Sequence, residues 1–319
     1  MDARADLYVV THRTDACLPS GDSSAMEETG VPRSAVRVGI SGYDYPRWKG
    51  HFYPADLPRT RWLRYASGHF DSIELNGTFY SLKTPAVFRK WAHAVPDDFV
   101  FPVKGSRFIT HNLKLRRAEQ ALANFFASGV LALGRKTGPF LWQLPATYRF
   151  DAERIDRFLR RLPRDASEGA EIARGHDRRL RGEPLTEAAE AVGFRHAVEV
   201  RHPSYFNSEF YAILRAHRCA FVVADTAGTF PFAEELTADF AYVRLHGSEA
   251  LYASGYRDDE LAAWAMRIIR WVESGISQAY VYFDNDALGH APFDAGRLAA
   301  LLGHPAEPAD PRSREPLIR

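Results

Sequence analysis

Residues 241–247 read Ala-Tyr-Val-Arg-Leu-His-Gly, a run in which apolar and charged side chains alternate. Period-two alternation is the mark of a strand, and Val243 and Leu245 on one face put Arg244 and His246 on the other. Seven more short β-rich runs accompany it: Arg37 to Ser41, Ser72 to Leu75, Val100 to Lys104, Phe140 to Gln143, Ala197 to Val200, Ala220 to Ala224 and Ala279 to Phe283. Segments of helical period separate most of them, namely Thr84 to Ala94, Leu115 to Ser128, Asp151 to Leu162, Asn207 to His217 and Asp258 to Glu273. The connection between the sixth and seventh runs is too short for a full helix. The Arg/Glu-rich segment from Arg164 to Pro184 reads as a solvated surface excursion.

Strands alternating with helices point to a parallel sheet. Eight such units between residues 36 and 302 fit an α/β fold of one kind, a single closed (β/α)8 TIM-type barrel. The rival, an open doubly wound sheet, commonly carries a glycine-rich phosphate loop after its first strand. Here Gly39, Ser41 and Gly42 do not make G-x-G-x-x-G. Residues 1–35 lack any sustained period and read as a mobile N-terminal extension, and residues 303–319 read as a C-terminal tail.

The whole chain has 319 residues, with 41 Lys+Arg against 40 Asp+Glu and 46% hydrophobic residues. That composition excludes wholesale disorder, and the near-neutral charge supplies no global attraction to a polyanion or an anionic membrane. No apolar stretch is long enough to span a bilayer, and the start from Met1 to Arg13 lacks a signal peptide's pattern, so the expected location is cytoplasmic. Cys17 and Cys219 alone support neither a disulfide framework nor a zinc cage.

In a barrel, strand residues alternate between the helix layer and the interior. Val38 and Ile40 outward place Gly39 and Ser41 inward; Ile73 and Leu75 place Glu74 and Asn76 inward; Phe101 and Val103 do the same for Lys104. The same parity sends Glu199, Arg201, Arg244, His246 and Asp284 inside, and Gln143 and Asp225 follow. These polar groups fall at the C-terminal ends of their strands, where barrels of this kind carry their active sites. Isolated interior charges would cost several kcal/mol each, so Glu74, Glu199, Asp225 and Asp284 should pair with Lys104, Arg201 and Arg244. A purely structural plug of ion pairs is the competing explanation. His196, Glu199 and His202 have an H-x-x-E-x-x-H spacing, but on a strand it points them to opposite faces. Loop aromatics that follow the strand ends, Tyr80 among them, are candidates for the pocket wall.

Several ordered motifs resemble the YecE-like (DUF72-type) family of domains of unknown function. They are Val38-Gly39-Ile40-Ser41-Gly42 with Trp48 and Phe52-Tyr53-Pro54, Glu74-Leu75-Asn76 with Thr78-Phe79-Tyr80, and Lys104 with Ile109-Thr110-His111. Glu199-Val200-Arg201, Tyr242 through Gly247, and Tyr282-Phe283 with Asn285-Asp286 complete the set, so that the resemblance covers roughly residues 36 to 302. It implies a TIM-type barrel and marks Glu74, Asn76, Lys104, His111, Glu199, Arg201, Arg244, His246 and Asn285 as the pocket. Asp284 departs from the family pattern, in which an Asn commonly precedes Asn285.

The expected function is an enzyme acting on a small anionic, phosphate- or carboxylate-bearing polar substrate. Glu74, Glu199 and His246 would do the acid/base work, and Asn76, Tyr80, Lys104, His111, Arg201, Arg244 and Asn285 would bind. Hydrolase, isomerase and lyase chemistry all remain open. A nucleic-acid-binding or endonuclease-IV-like repair protein, with aromatics stacking bases, is the runner-up, and a non-catalytic ligand-binding barrel is a third reading. No motif calls for a cofactor. The expectation is that no metal is required, with Glu74, Glu199, Asp225 and His246 as the set a divalent ion would use.

Overall fold

The computed structural model describes residues 31–304 except Arg33 and Arg181. The mobile extension and tail expected at the termini lie almost wholly outside these residues. Eight parallel strands carry the fold: β1 (Val36–Ser41), β2 (Ser72–Glu74), β3 (Phe101–Lys104), β4 (Thr137–Gln143), β5 (His196–Glu199), β6 (Ala220–Asp225), β7 (Phe240–Leu245) and β8 (Gln278–Phe283). They pair in the order β2-β1-β8-β7-β6-β5-β4-β3. The ring closes where Ser72 bridges Val100 and Leu75 bridges Val103. The architecture is thus the (β/α)8 barrel, with helices covering its outside.

Parity sorts the strand side chains into two apolar layers. Val38, Ile40, Ile73, Leu75, Val103, Val198, Val243, Leu245, Val281 and Phe283 belong to the core between strands and helices. Leu141, Ala197, Val222, Tyr242, Tyr280 and Tyr282 form a separate cluster inside the barrel. Helices start where a short polar side chain can cap a free N–H: Asp151 accepts from Arg154, Asp165 from Glu168 and Asn207 from Phe210. No helix among the described residues is long and apolar enough to cross a membrane.

Three expectations change. The segment from Arg164 to Pro184 is not simply a solvated excursion, because it contains the helix Ala166–Arg174. Ala166, Gly169, Ala170 and Ala173 of that helix are buried, and it packs on the helix Glu119–Ala127. Its small residues recur every three or four positions and give a close-packing face, which the surrounding charge obscured. The helix expected from Leu115 begins only at Glu119, since Lys114, Leu115 and Arg117 all take positive φ (47°, 64° and 46°), a conformation that L-residues rarely adopt. A single π-turn, Phe108–Asn112, precedes them. The third change is Asp225, which shares the outward parity of Phe221 and Val223. Its carboxylate accepts from Tyr256 Oη at 3.1 Å and makes no ion pair with an interior cation among the described residues.

Gly39 pairs with Ser72 across β1 and β2, and a Cβ placed there would stand 1.9 Å from the Ser72 carbonyl oxygen. Gly39→Ala should therefore force the two strands apart and lower stability by about 3 kcal/mol. Denaturant unfolding checks this, and an unshifted midpoint would mean that the β1–β2 contact yields freely.

Candidate functional site

The interior charges gather at the C-terminal ends of the strands. Arg244 of β7 lies at the centre with 0% exposure. Its Nε and Nη2 donate to the two carboxylate oxygens of Glu74 at 3.2 and 2.9 Å, its Nη1 to Glu199 at 2.7 Å and its Nη2 also to Asp284 at 2.8 Å. Glu74 further accepts from Ser41 Oγ at 2.7 Å and Tyr242 Oη at 2.6 Å. Strands β1, β2, β5, β7 and the end of β8 thus all contribute to one network. A planar guanidinium suits it, because its fixed fork can serve several carboxylates at once.

Electrostatics follow from this packing. Burial alone would raise the Glu199 carboxyl, but Arg244 and Arg201 together hold it well below the usual carboxylate range. Asp284 is lowered in the same way, burial being outweighed by Arg244 with help from His246. Tyr242 is pushed far up by burial and by the Glu74 charge, so it stays protonated and donates.

Nearer the mouth, the pairing is incomplete. Arg201 donates through Nε to Glu199 and through Nη2 to Tyr252 Oη, both at 2.9 Å, and its guanidinium lies 4.8 Å from the Phe230 ring centre. Its Nη1 has no acceptor among the described residues. Lys104 is 8% exposed and its Nζ sits 4.7 Å from the centre of the Phe79 ring. No described carboxylate reaches that amine, and burial with the nearby Arg244 cation pushes it down to about 8. Burial and the cations Arg107, Lys104 and Arg201 push His111 down to about 4, so its imidazole is neutral at pH 7. His111 Nδ1 is 2.9 Å from Thr110 Oγ1, and its ring meets Phe79 edge-on at 5.1 Å.

The remaining expected site residues are placed differently. Glu74 and Glu199 are wholly buried behind Arg244. His246 is also fully buried; its Nδ1 lies 3.1 Å from Asp284 without hydrogen-bond alignment, and its ring sits edge-on to Tyr252. The Asn285 amide nitrogen donates to Ser254 O at 2.9 Å and to Asp294 at 2.8 Å, and its Oδ1 is buried without a partner. Asn76 begins the short helix after β2, and its Oδ1 is buried without a partner. Tyr80 is 77% exposed and stands outside the interior network. Residues given no role by the sequence reading include Tyr242 and Phe230. Tyr242 has the same inward parity as Arg244, which is the signal that would have found it. Among the described residues, no cluster of three or more His, Cys, Asp and Glu side chains has the arrangement of a metal centre.

The family model described as "Protein of unknown function DUF72" matches residues 37–316. The chain belongs to this family. A DUF72 family protein of Thermotoga maritima MSB8 superposes with a TM-score of 0.66 at 26% identity, over 84% of this chain and 99% of that one. One from Enterococcus faecalis V583 gives 0.61 at 17% identity, over 85% and 98%, and shares the fold. The UPF0759 protein YecE of Escherichia coli K12 is 29% identical over 138 residues, 43% of this chain and 48% of YecE. The chain thus spans about half the length of the curated relatives it matches.

Arg244→Met would leave three carboxylates without their shared cation and should cost about 3–5 kcal/mol at pH 7. Because Glu199 and Asp284 are lowered in the folded state, the stability they contribute is present above their ordinary values of 4.5 and 3.8 and is lost as the pH falls through and below them. The gap between wild type and variant should accordingly narrow on acidification. Urea unfolding at neutral and acid pH measures it, and a constant gap would count against the network.

Proposed function

We propose that this DUF72 chain is an enzyme that acts on a small anionic polar substrate, bearing phosphate or carboxylate, by acid–base chemistry at the C-terminal mouth of the barrel. The observation that carries the reading is that Lys104 and Arg201 keep donors at the mouth that no described residue accepts. Interior cations are costly unless paired, and incomplete pairing at a rim suits a ligand that completes it. Arg244 is already committed to Glu74, Glu199 and Asp284, so its part is to fix those carboxylates. The burial of Glu74, Glu199 and His246 favours His111, neutral and nearer the opening, as the group that accepts a proton from substrate. We assign this chemistry to side chains without a metal, since Arg244 already takes up the carboxylates that would be ligands.

A second reading has an observation of its own. Beside the mouth runs a groove of about 420 Å³ lined by Tyr80, Phe108, Arg117 and Arg179 among others. Exposed rings next to cations suit a single-stranded nucleic acid, whose bases stack while its phosphates are neutralised. Its signature is an oligonucleotide affinity that falls steeply with added salt.

For the first reading, calorimetry with phosphate and sulfate should show binding to wild type, weakened roughly ten- to a hundredfold by Arg201→Ala with the fold confirmed by circular dichroism. Wild type that binds neither anion, or a folded variant that binds equally well, would sink it.

A further inference from the structure

We propose that Lys104 is a covalent residue, whose ε-amine condenses with the carbonyl carbon of a small aldehyde or ketone held at the barrel mouth to form a Schiff base. This deepens the reading above, on which it rests for the location of the ligand, by naming the substrate as a carbonyl compound with an anionic arm.

The first ground is geometric. Lys104 ends β3 on its inward side, with its amine over the Phe79 ring, and no described carboxylate engages it. Glu74 and Asp284 are committed to Arg244, and Glu199 to Arg244 and Arg201. A lysine kept as part of a structural ion pair would have a carboxylate partner. One kept only to grip an anion would do better as arginine, which stays charged, as at position 201. Lysine differs in having a neutral, nucleophilic form within reach once it is desolvated.

The second ground is what faces the amine. Burial and Arg244 on β7 act to neutralise it, and Glu74 on β2, Glu199 on β5 and Asp284 after β8 act in the opposite sense. His111 feels the charge of Lys104, as it does those of Arg107 and Arg201. The balance leaves it at about 8 against an ordinary 10.5, so an appreciable fraction is unprotonated at pH 7 to 8. The same neighbours suit the product: ionised Glu199 and Asp284 stabilise an iminium, Arg201 holds an anionic arm, and neutral His111 can take a proton from the adjacent carbon. In the condensation the lone pair of the neutral amine forms the N–C bond, its two protons leave with the carbonyl oxygen as water, and the resulting imine takes up one proton from solvent to become the iminium. No oxidant or reductant is consumed.

The test is reductive trapping. The full chain is incubated with pyruvate, dihydroxyacetone phosphate or glycolaldehyde phosphate and sodium cyanoborohydride, and each modified lysine is located by peptide mass spectrometry. For at least one probe, Lys104 should be labelled at least about tenfold faster than the exposed Lys49 and Lys90, with a rate that rises with pH and levels off above about 8. Lys104→Arg and Lys104→Met should lose that adduct; if either fails to fold, site mapping in wild type still decides. Labelling of Lys104 no faster than the exposed lysines, or a rate still climbing above pH 10, overturns the proposal. Phosphate binding without trapping leaves the anion site standing and removes the Schiff base. Trapping without phosphate binding does the reverse.

Discussion

One guanidinium inside a ring of carboxylates organises the C-terminal half of this barrel. Arg244 is sealed from solvent, where an unpaired cation would be prohibitive, and Glu74, Glu199 and Asp284 surround it. Each carboxylate comes from a different strand. The ion cluster therefore acts as a tie between β2, β5, β7 and the end of β8, and it fixes how those strand ends are spaced around the mouth. Tyr242 and Ser41 fill the remaining acceptor positions of Glu74.

That tie divides the interior into two levels. Below it, Tyr242, Tyr280, Tyr282, Leu141 and Val222 pack as an ordinary apolar filling. Above it, at Lys104 and Arg201, the demand for charge pairing is met only in part. Tying Arg244 down with three acids also sets the conditions for Lys104. Its potential partners are held elsewhere, and the nearby guanidinium disfavours a second cation. Burial first, and Arg244 second, lower the basicity of the amine.

Membership of the DUF72 family agrees with the barrel fold. The Thermotoga maritima and Enterococcus faecalis proteins share the barrel across nearly all of their length. Asp284, the acid before Asn285, supplies the third carboxylate on Arg244 and the near neighbour of His246, so it lies at the centre of the network.

The sequence by itself determined the barrel and the inward set. Strand parity is a local property: where apolar residues alternate with Glu74, Lys104, Glu199 or Arg244, the polar residue can face only one way, and a turn of neighbouring sequence suffices to tell which. Where that contrast was missing, the inference failed. The run Ala220 to Ala224 is apolar on both faces, so nothing local fixed Asp225, and it lies on the outward parity. In the segment from Arg164 to Pro184, charge hid a small-residue helical face whose value depends on the helix Glu119–Ala127 being opposite. Only the tertiary structure decided how the inward charges are shared. Residues 74, 199, 244 and 284 are far apart along the chain, and their pairing depends on strand order and stagger, which no local pattern encodes. Closure brought three acids to Arg244 and left Lys104 without one, because a single guanidinium offers enough donors for all three.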